Sequence, residues 1–347
     1  MNTGVSFLLN GQEHASDVDL LNFQSGPSTG AKFVGGTMND LSGACVRAAG
    51  DVNGDSLQDL YIGAANVDVA GKVDAGAVYL IYGAPTGASR VPTQQPSASV
   101  ASFAPSAQTP TIAPSANIYL GTLTAGPFSS PSSGRLYAGA ASADNFANAI
   151  ASGGDFNGDG LMDVIVGANQ ASPMSRANAG VVYVLFGDNN GVADPATMVS
   201  SNAVGFRILG AAPMSKTGSS VASAGDVNGD GCDDELIGAS SYVFSGRINA
   251  GAAFVVYGCR AAVADIDLLT FVSGPLGFRV FGAASNDGLG WAVSAAGDVN
   301  QDGYGDIMVG APAFDQPGRV NAGAVFVIFG HNASAAADID LLFPFNG

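Results

Sequence analysis

Positive charge is scarce in this chain. Only 12 of 347 residues are Lys or Arg, against 29 Asp and Glu, and the formal net charge is -17. A nucleic acid backbone needs a basic surface, so no nucleic acid partner is expected. Histidine is limited to His14 and His331 and tryptophan to Trp291. Neither histidine has a visible set of convergent partners, so no catalytic constellation stands out and the chain is not expected to be an enzyme. The three cysteines, Cys45, Cys232 and Cys259, form no complete disulfide framework. One bridge remains open, but buried small apolar residues are the expected reading of them. No apolar run approaches the ~18 residues of a membrane span, so no membrane insertion is expected. No basic segment followed by an apolar stretch opens the sequence, so no secretory signal is visible.

Glycine, in contrast, is abundant at 49 residues, with 16 Pro and 47% apolar residues. Short strands joined by tight turns have this composition, and the length is sufficient for a large core. The carboxylates recur at intervals instead of forming an acidic tail. Copies of one acidic loop begin at Asp51, Asp155, Asp226 and Asp298, spaced 104, 71 and 72 residues apart. The long first interval contains residues 84–116, rich in Pro, Ser, Ala and Thr, which reads as a loop insertion.

Each repeat has the same parts. A short strand such as Ser219 to Ala224 runs into the loop. An apolar run ending in Gly-Ala follows (Leu60 to Ala64, Val164 to Ala168, Leu236 to Ala239, Ile307 to Ala311), then a third strand (Ala77 to Tyr82, Val181 to Phe186, Ala252 to Tyr257, Ala324 to Phe329). A fourth reads Arg135 to Gly139, Phe206 to Gly210 or Phe278 to Gly282. Such short runs, bounded by Gly and rich in Val, Ile, Phe and Tyr, predict strands. The expectation is an all-β fold, a β-propeller of four four-stranded blades.

The ends are duplicated. Val5 to Gly11 resembles Val325 to Gly330, and Asp17 to Leu21 resembles both Asp265 to Leu269 and Asp338 to Leu342. The fourth repeat lacks its last strand, and Lys32 to Gly36 is expected to supply it and close the ring, removing two sheet edges. Residues 1–29 then form an N-terminal segment with a spare strand suited to an intersubunit contact, and 30–347 the propeller.

The loops are Asp51 to Asp59, Asp155 to Asp163, Asp226 to Asp234 and Asp298 to Asp306. Calcium takes six to eight oxygens. Side chains at positions 1, 3, 5 and 9 and a carbonyl at position 7 supply them. The predicted ligands are Asp51, Asn53, Asp55, Leu57 and Asp59; Asp155, Asn157, Asp159, Leu161 and Asp163; Asp226, Asn228, Asp230, Cys232 and Asp234; and Asp298, Asn300, Asp302, Tyr304 and Asp306. About four Ca2+ are expected. Three crowded carboxylates repel one another without a cation, which argues against simple turn chemistry. Position 6 is Gly in three loops and Ser56 in the first, where strain is expected.

These loops, the Gly-Ala ends such as Gly310-Ala311-Pro312, and the strands before the loops, as in Gly218-Ser219-Ser220-Val221, resemble the FG-GAP repeats of the integrin alpha-subunit β-propeller. The resemblance covers most of residues 30–330. It implies a calcium ion between the first two strands of a blade, held by positions 1, 3, 5, 7 and 9. The repeats are longer than in integrins and number four where the integrin ring has seven. Four blades closing alone is the expectation, and two chains sharing a larger ring the alternative.

Eight of the 12 cations recur at fixed places: Lys72, Arg176, Arg247 and Arg319 before the third strand, and Lys32, Arg135, Arg207 and Arg279 in the last. Structural pairing with carboxylates is expected over a ring gripping an acidic ligand, because every blade repeats it. Trp291 is expected to pack in the core or at the axis, and the histidines to lie in exposed turns. The function expected is an extracellular or cell-surface binding and adhesion module, with structural calcium and a protein or glycan ligand at one face of the ring. A surface-layer or filament subunit, a homo-oligomer through terminal strands, is the alternative; a propeller lyase or phospholipase ranks last.

Overall fold

The computed structural model describes residues 4–9, 30–35, 39–69, 71–83, 118–119, 135–187, 205–259 and 264–342. The 84–116 insertion, His14 and the Asp17 to Leu21 segment lie outside them. Among the described residues the ordered structure is strand, with two short 3-10 turns.

The strands follow in order as β1 (Val5–Leu9), β2 (Gly30–Val34), β3 (Cys45–Gly50), β4 (Asp59–Ala64), β5 (Ala77–Ile81), β6 (Ile118–Tyr119) and β7 (Arg135–Ala138). Next come β8 (Phe146–Gly154), β9 (Asp163–Ala168), β10 (Val181–Leu185) and β11 (Gly205–Leu209). A third set is β12 (Thr217–Gly225), β13 (Asp234–Ala239), β14 (Ala252–Val256), β15 (Ile266–Asp267) and β16 (Gly277–Phe281). The last is β17 (Ala292–Gly297), β18 (Asp306–Ala311), β19 (Ala324–Ile328) and β20 (Ile339–Asp340).

The predicted four-strand units form antiparallel blades: β3-β4-β5-β7, β8-β9-β10-β11 and β12-β13-β14-β16. The second and third each gain a two-residue parallel strand from the following repeat, β15 on β11 and β20 on β16. The fourth blade, β17-β18-β19, has three strands.

Ring closure differs from the expectation. β2 pairs with β1, with Val5 opposite Val34, and with β6, in place of β19. β1 and β19 resemble each other, both apolar and centred on Phe7 and Phe326, so β2 has two candidate partners, and in this structure it takes the neighbour closest in sequence. No sheet is closed.

The blades stack face to face. β14 alternates between two cores: Ala252, Phe254 and Val256 face the second blade, while Ala253, Val255 and Tyr257 face the fourth. A strand covered on both sides reads as a continuous apolar run, which is why the third strands stood out in the sequence. β2, through Phe33, caps the first blade against Ile62, Tyr79 and Ile81.

Four of the eight recurring cations pair with carboxylates as a structural belt, while Lys72 donates to the Gly139 carbonyl oxygen. Arg176 meets Asp267 at 2.8 Å, and Arg247 holds both oxygens of Asp340 at 2.7 and 2.8 Å. Arg207 pairs with Asp265 and Arg279 with Asp338. Each carboxylate lies on or beside the parallel strand supplied by the next repeat, so these pairs tie blade to blade. Cys232 and Cys259 form a disulfide, and Cys45 is free. Trp291 lines the axial cavity together with Ala44, Asn148 and Ser219 of the other blades, the axial place expected of it, and is 65% exposed there. His331 departs from expectation: it is half-buried against the Phe278 ring.

Candidate metal centre

Each acidic loop joins the first strand of a blade to the second, and the four have the same internal bonding. The position-1 carboxylate accepts the amides of positions 5 and 6: Asp51 at 3.0 and 2.7 Å, Asp155 at 3.0 and 2.9 Å, Asp226 at 3.1 and 2.9 Å, Asp298 at 3.1 and 2.9 Å. The position-3 oxygens of Asn53, Asn157, Asn228 and Asn300 accept the same position-5 amide. The position-5 carboxylates of Asp55, Asp159, Asp230 and Asp302 accept from that Asn side chain and from the amides of Leu57, Leu161, Cys232 and Tyr304. Side-chain oxygens from positions 1, 3 and 5 thus gather over one turn of chain.

That turn needs a left-handed residue at position 6. Gly160, Gly231 and Gly303 have φ of 87, 94 and 91°, and Ser56 is forced to 66°. The strain expected at Ser56 is present. The fourth loop carries a second such residue, Gln301 at 61°, where the others have glycine; the sequence reading missed it.

Position 9 sits lower. Asp59, Asp163, Asp234 and Asp306 are buried. One oxygen of each accepts the position-2 amide, at 3.0, 2.9, 2.8 and 2.8 Å. The other accepts the amide of Gly83, Gly187, Gly258 or Gly330, past the third strand, at 2.6, 2.8, 2.8 and 2.9 Å. Position 9 therefore locks the loop to the sheet, and each oxygen keeps a lone pair for a cation. Burial raises the pKa of Asp163 and Asp234 to about 7, against the lowering effect of their two amides, with the loop's other carboxylates adding to the rise. Burial raises Asp59 as well.

The donor set is oxygen only, which fits a hard cation. None of the thirteen loop carboxylates takes part in the four ion pairs of the belt. Among the described residues, the one trio of acidic or sulfur ligand atoms within 4.8 Å is Asp230 with Cys232 and Cys259. Sulfurs joined in a disulfide are not thiolate ligands, so this trio is no soft-metal site. Positions 1, 5 and 9 do not draw together to that distance in any loop.

Sequence reasoning also missed Glu235, on β13 where the other blades have Leu60, Val164 and Ile307. It is fully buried with neither carboxylate oxygen hydrogen-bonded, and burial drives its pKa well above the usual value. A charged residue at an otherwise apolar repeat position was the available signal.

The FG-GAP repeat family model matches residues 48–81, 146–185 and 289–328. The third loop lies outside these matches yet has the same hydrogen bonds. Integrin alpha pat-2 of Caenorhabditis elegans is 32% identical over 179 residues, 51% of this chain and 13% of that protein. Integrin alpha-PS2 of Drosophila melanogaster is 29% identical over 60% of this chain and 12% of that protein. The phosphatidylinositol-glycan-specific phospholipase D of Bos taurus is 50% identical over 54 residues, 15% of this chain and 6% of that protein. The chain thus spans less than a fifth of the length of each of these relatives.

Proposed function

From the premise that the chain carries FG-GAP repeats like those of integrin alpha subunits, we propose that it is a non-catalytic binding and adhesion module of the cell surface or extracellular space, with propeller blades stapled by about four calcium ions. The observation that supports this reading is the oxygen-only loop, repeated four times with one hydrogen-bond pattern and, among the described residues, no ion pair to it. Positions 1, 3 and 5 offer oxygens at the rim, and position 9 anchors the loop beneath. Bound calcium would neutralise the rim carboxylates and hold the first two strands of each blade at a fixed angle. The ligand, a protein or a glycan, would then meet loops presented on one rigid face.

The test is an array of extracellular-matrix proteins and glycans, probed with the chain in 1 mM calcium chloride and again with excess EGTA. Saturable binding that disappears in EGTA is expected; binding indifferent to EGTA, or none in calcium, counts against the module. The phospholipase reading rests on a 54-residue match. Release of a glycosylphosphatidylinositol-linked reporter by the purified chain would favour it; no release is expected.

A further inference from the structure

The fourth blade is built to receive another blade. In the first three blades the outward positions of the third strand are buried: Val78, Leu80 and Tyr82, then Val182, Val184 and Phe186, then Ala253, Val255 and Tyr257. The equivalents in the fourth blade, Val325, Val327 and Phe329, are 67, 43 and 53% exposed. The loop residue Val299 is exposed where Val52, Phe156 and Val227 are buried.

Glycines mark the same vacancy. In each stacked pair, the segment leading into the next blade passes over two glycines, too closely for a side chain at all but Gly63, where a Cβ would stand 2.8 Å from Ile150 Cδ1 and 3.0 Å from the Ala147 carbonyl oxygen. A Cβ on Gly167 would stand 2.2 Å from the Gly218 carbonyl oxygen, and one on Gly238 2.0 Å from that of Gly290. A Cβ on Gly76, Gly180 or Gly251 would stand 2.1, 2.0 and 2.1 Å from the oxygens of Phe146, Thr217 and Leu289. Gly310 and Gly323 are their counterparts in the fourth blade. There a Cβ meets only its own blade, Ala292 at 3.4 Å and Pro312 at 3.1 Å.

The molecule also contains the matching plug. Ser42 leads into the first blade and rests on Gly4 just before β1, 2.1 Å from where a Cβ would lie. Gly4 and Gly323 are equivalent, each placed just before one of two apolar strands of like pattern, β1 and β19. One lead-in segment therefore has two like seats, one filled and one open. β19 also has no strand on its outer side among the described residues, whereas β5, β10 and β14 pair there with β7, β11 and β16.

We propose that the open face of the fourth blade binds the first blade of a second copy of this chain, head to tail, with β19 replacing the partner's β1 on the partner's β2. The exchange swaps one apolar strand for another of like pattern and buries the exposed Val325, Val327 and Phe329 in the same way as the three existing blade interfaces. It rests on blade geometry and does not depend on a ligand.

Light scattering after gel filtration in 1 mM calcium chloride tests it. Wild type at about 50 µM is expected at twice 34.4 kDa or more. Gly310→Ala has room within its own blade, so it should keep the wild-type melting temperature and run as a monomer. Val327→Asp, on an exposed site, should do the same. Gly238→Ala, with a partner 2.0 Å away inside the chain, should instead lower the melting temperature. A wild-type monomer at 50 µM, or Gly310→Ala and Val327→Asp that both associate like wild type, overturns the proposal.

Discussion

Breaking the Cys232–Cys259 bridge should loosen one blade by a calculable amount. The two residues are 27 apart in sequence, with Cα atoms 5.5 Å apart. Cys232 is position 7 of the third loop, and Cys259 follows β14, so the bond clips the loop to the strand beside it. Closing a ring of this size in the unfolded chain removes entropy worth about 3.6 kcal/mol at 25 °C in the chain-entropy relation. With an unfolding entropy of about 2.1 cal/mol/K per residue, that is a fall in melting temperature of about 5 °C. Calorimetry of Cys232→Ser/Cys259→Ser against wild type measures it. Thiol titration under denaturing conditions should find one thiol, Cys45, before reduction and three after. Three thiols in the unreduced protein, or a melting temperature unchanged within 1 °C in the double variant, would refute the reasoning.

Ser56→Gly should relieve the left-handed strain at position 6 and stabilise the protein by about 1 kcal/mol, read as a raised urea midpoint. Arg247→Met removes a bidentate partner from Asp340 and should cost about 2 kcal/mol, with most of the loss seen as faster hydrogen exchange in β20. The raised pKa values of Asp163 and Asp234 carry a sign. Their folded forms hold protons more tightly than the unfolded chain does, so in chelator stability should fall as pH rises from about 4 to about 7 and level off above. Urea titrations at pH 5 and pH 7.5 check this, and a chelated protein more stable at pH 7.5 would reverse it.

The strands were legible where both faces are buried. A run such as Ala252 to Tyr257 must be apolar at every position because each face meets a different blade, and its glycine boundaries are turns. The acidic loops were legible because four copies share one spacing, and the conformation at Ser56 follows from that spacing. The parallel strands β6, β15 and β20 were not read as strands, since two residues have no periodicity; the likeness of Asp265 to Leu269 and Asp338 to Leu342, which contain β15 and β20, was the available hint. The partner of β2 was not legible either, because β1 (VSFLL) and β19 (AVFVI) are both short apolar strands preceded by glycine, and pattern alone does not separate them. The bridge was hidden because Cys232 and Cys259 come together through the return of β14 along β13. The axial place of Trp291 was legible because its repeat equivalents Ala44, Asn148 and Ser219 line the same cavity.

Calcium titration of the decalcified chain by calorimetry tests the central claim most directly. At sites with Kd of about 0.1–1 mM, 1 mM calcium adds roughly 0.4–1.4 kcal/mol each, or roughly 2–6 kcal/mol for four. The account predicts about four ions per chain, a melting temperature that falls clearly in chelator, and the loss of one ion in Asp155→Asn and one in Asp226→Asn. No heat of binding, together with a melting curve identical in calcium and chelator, would contradict it.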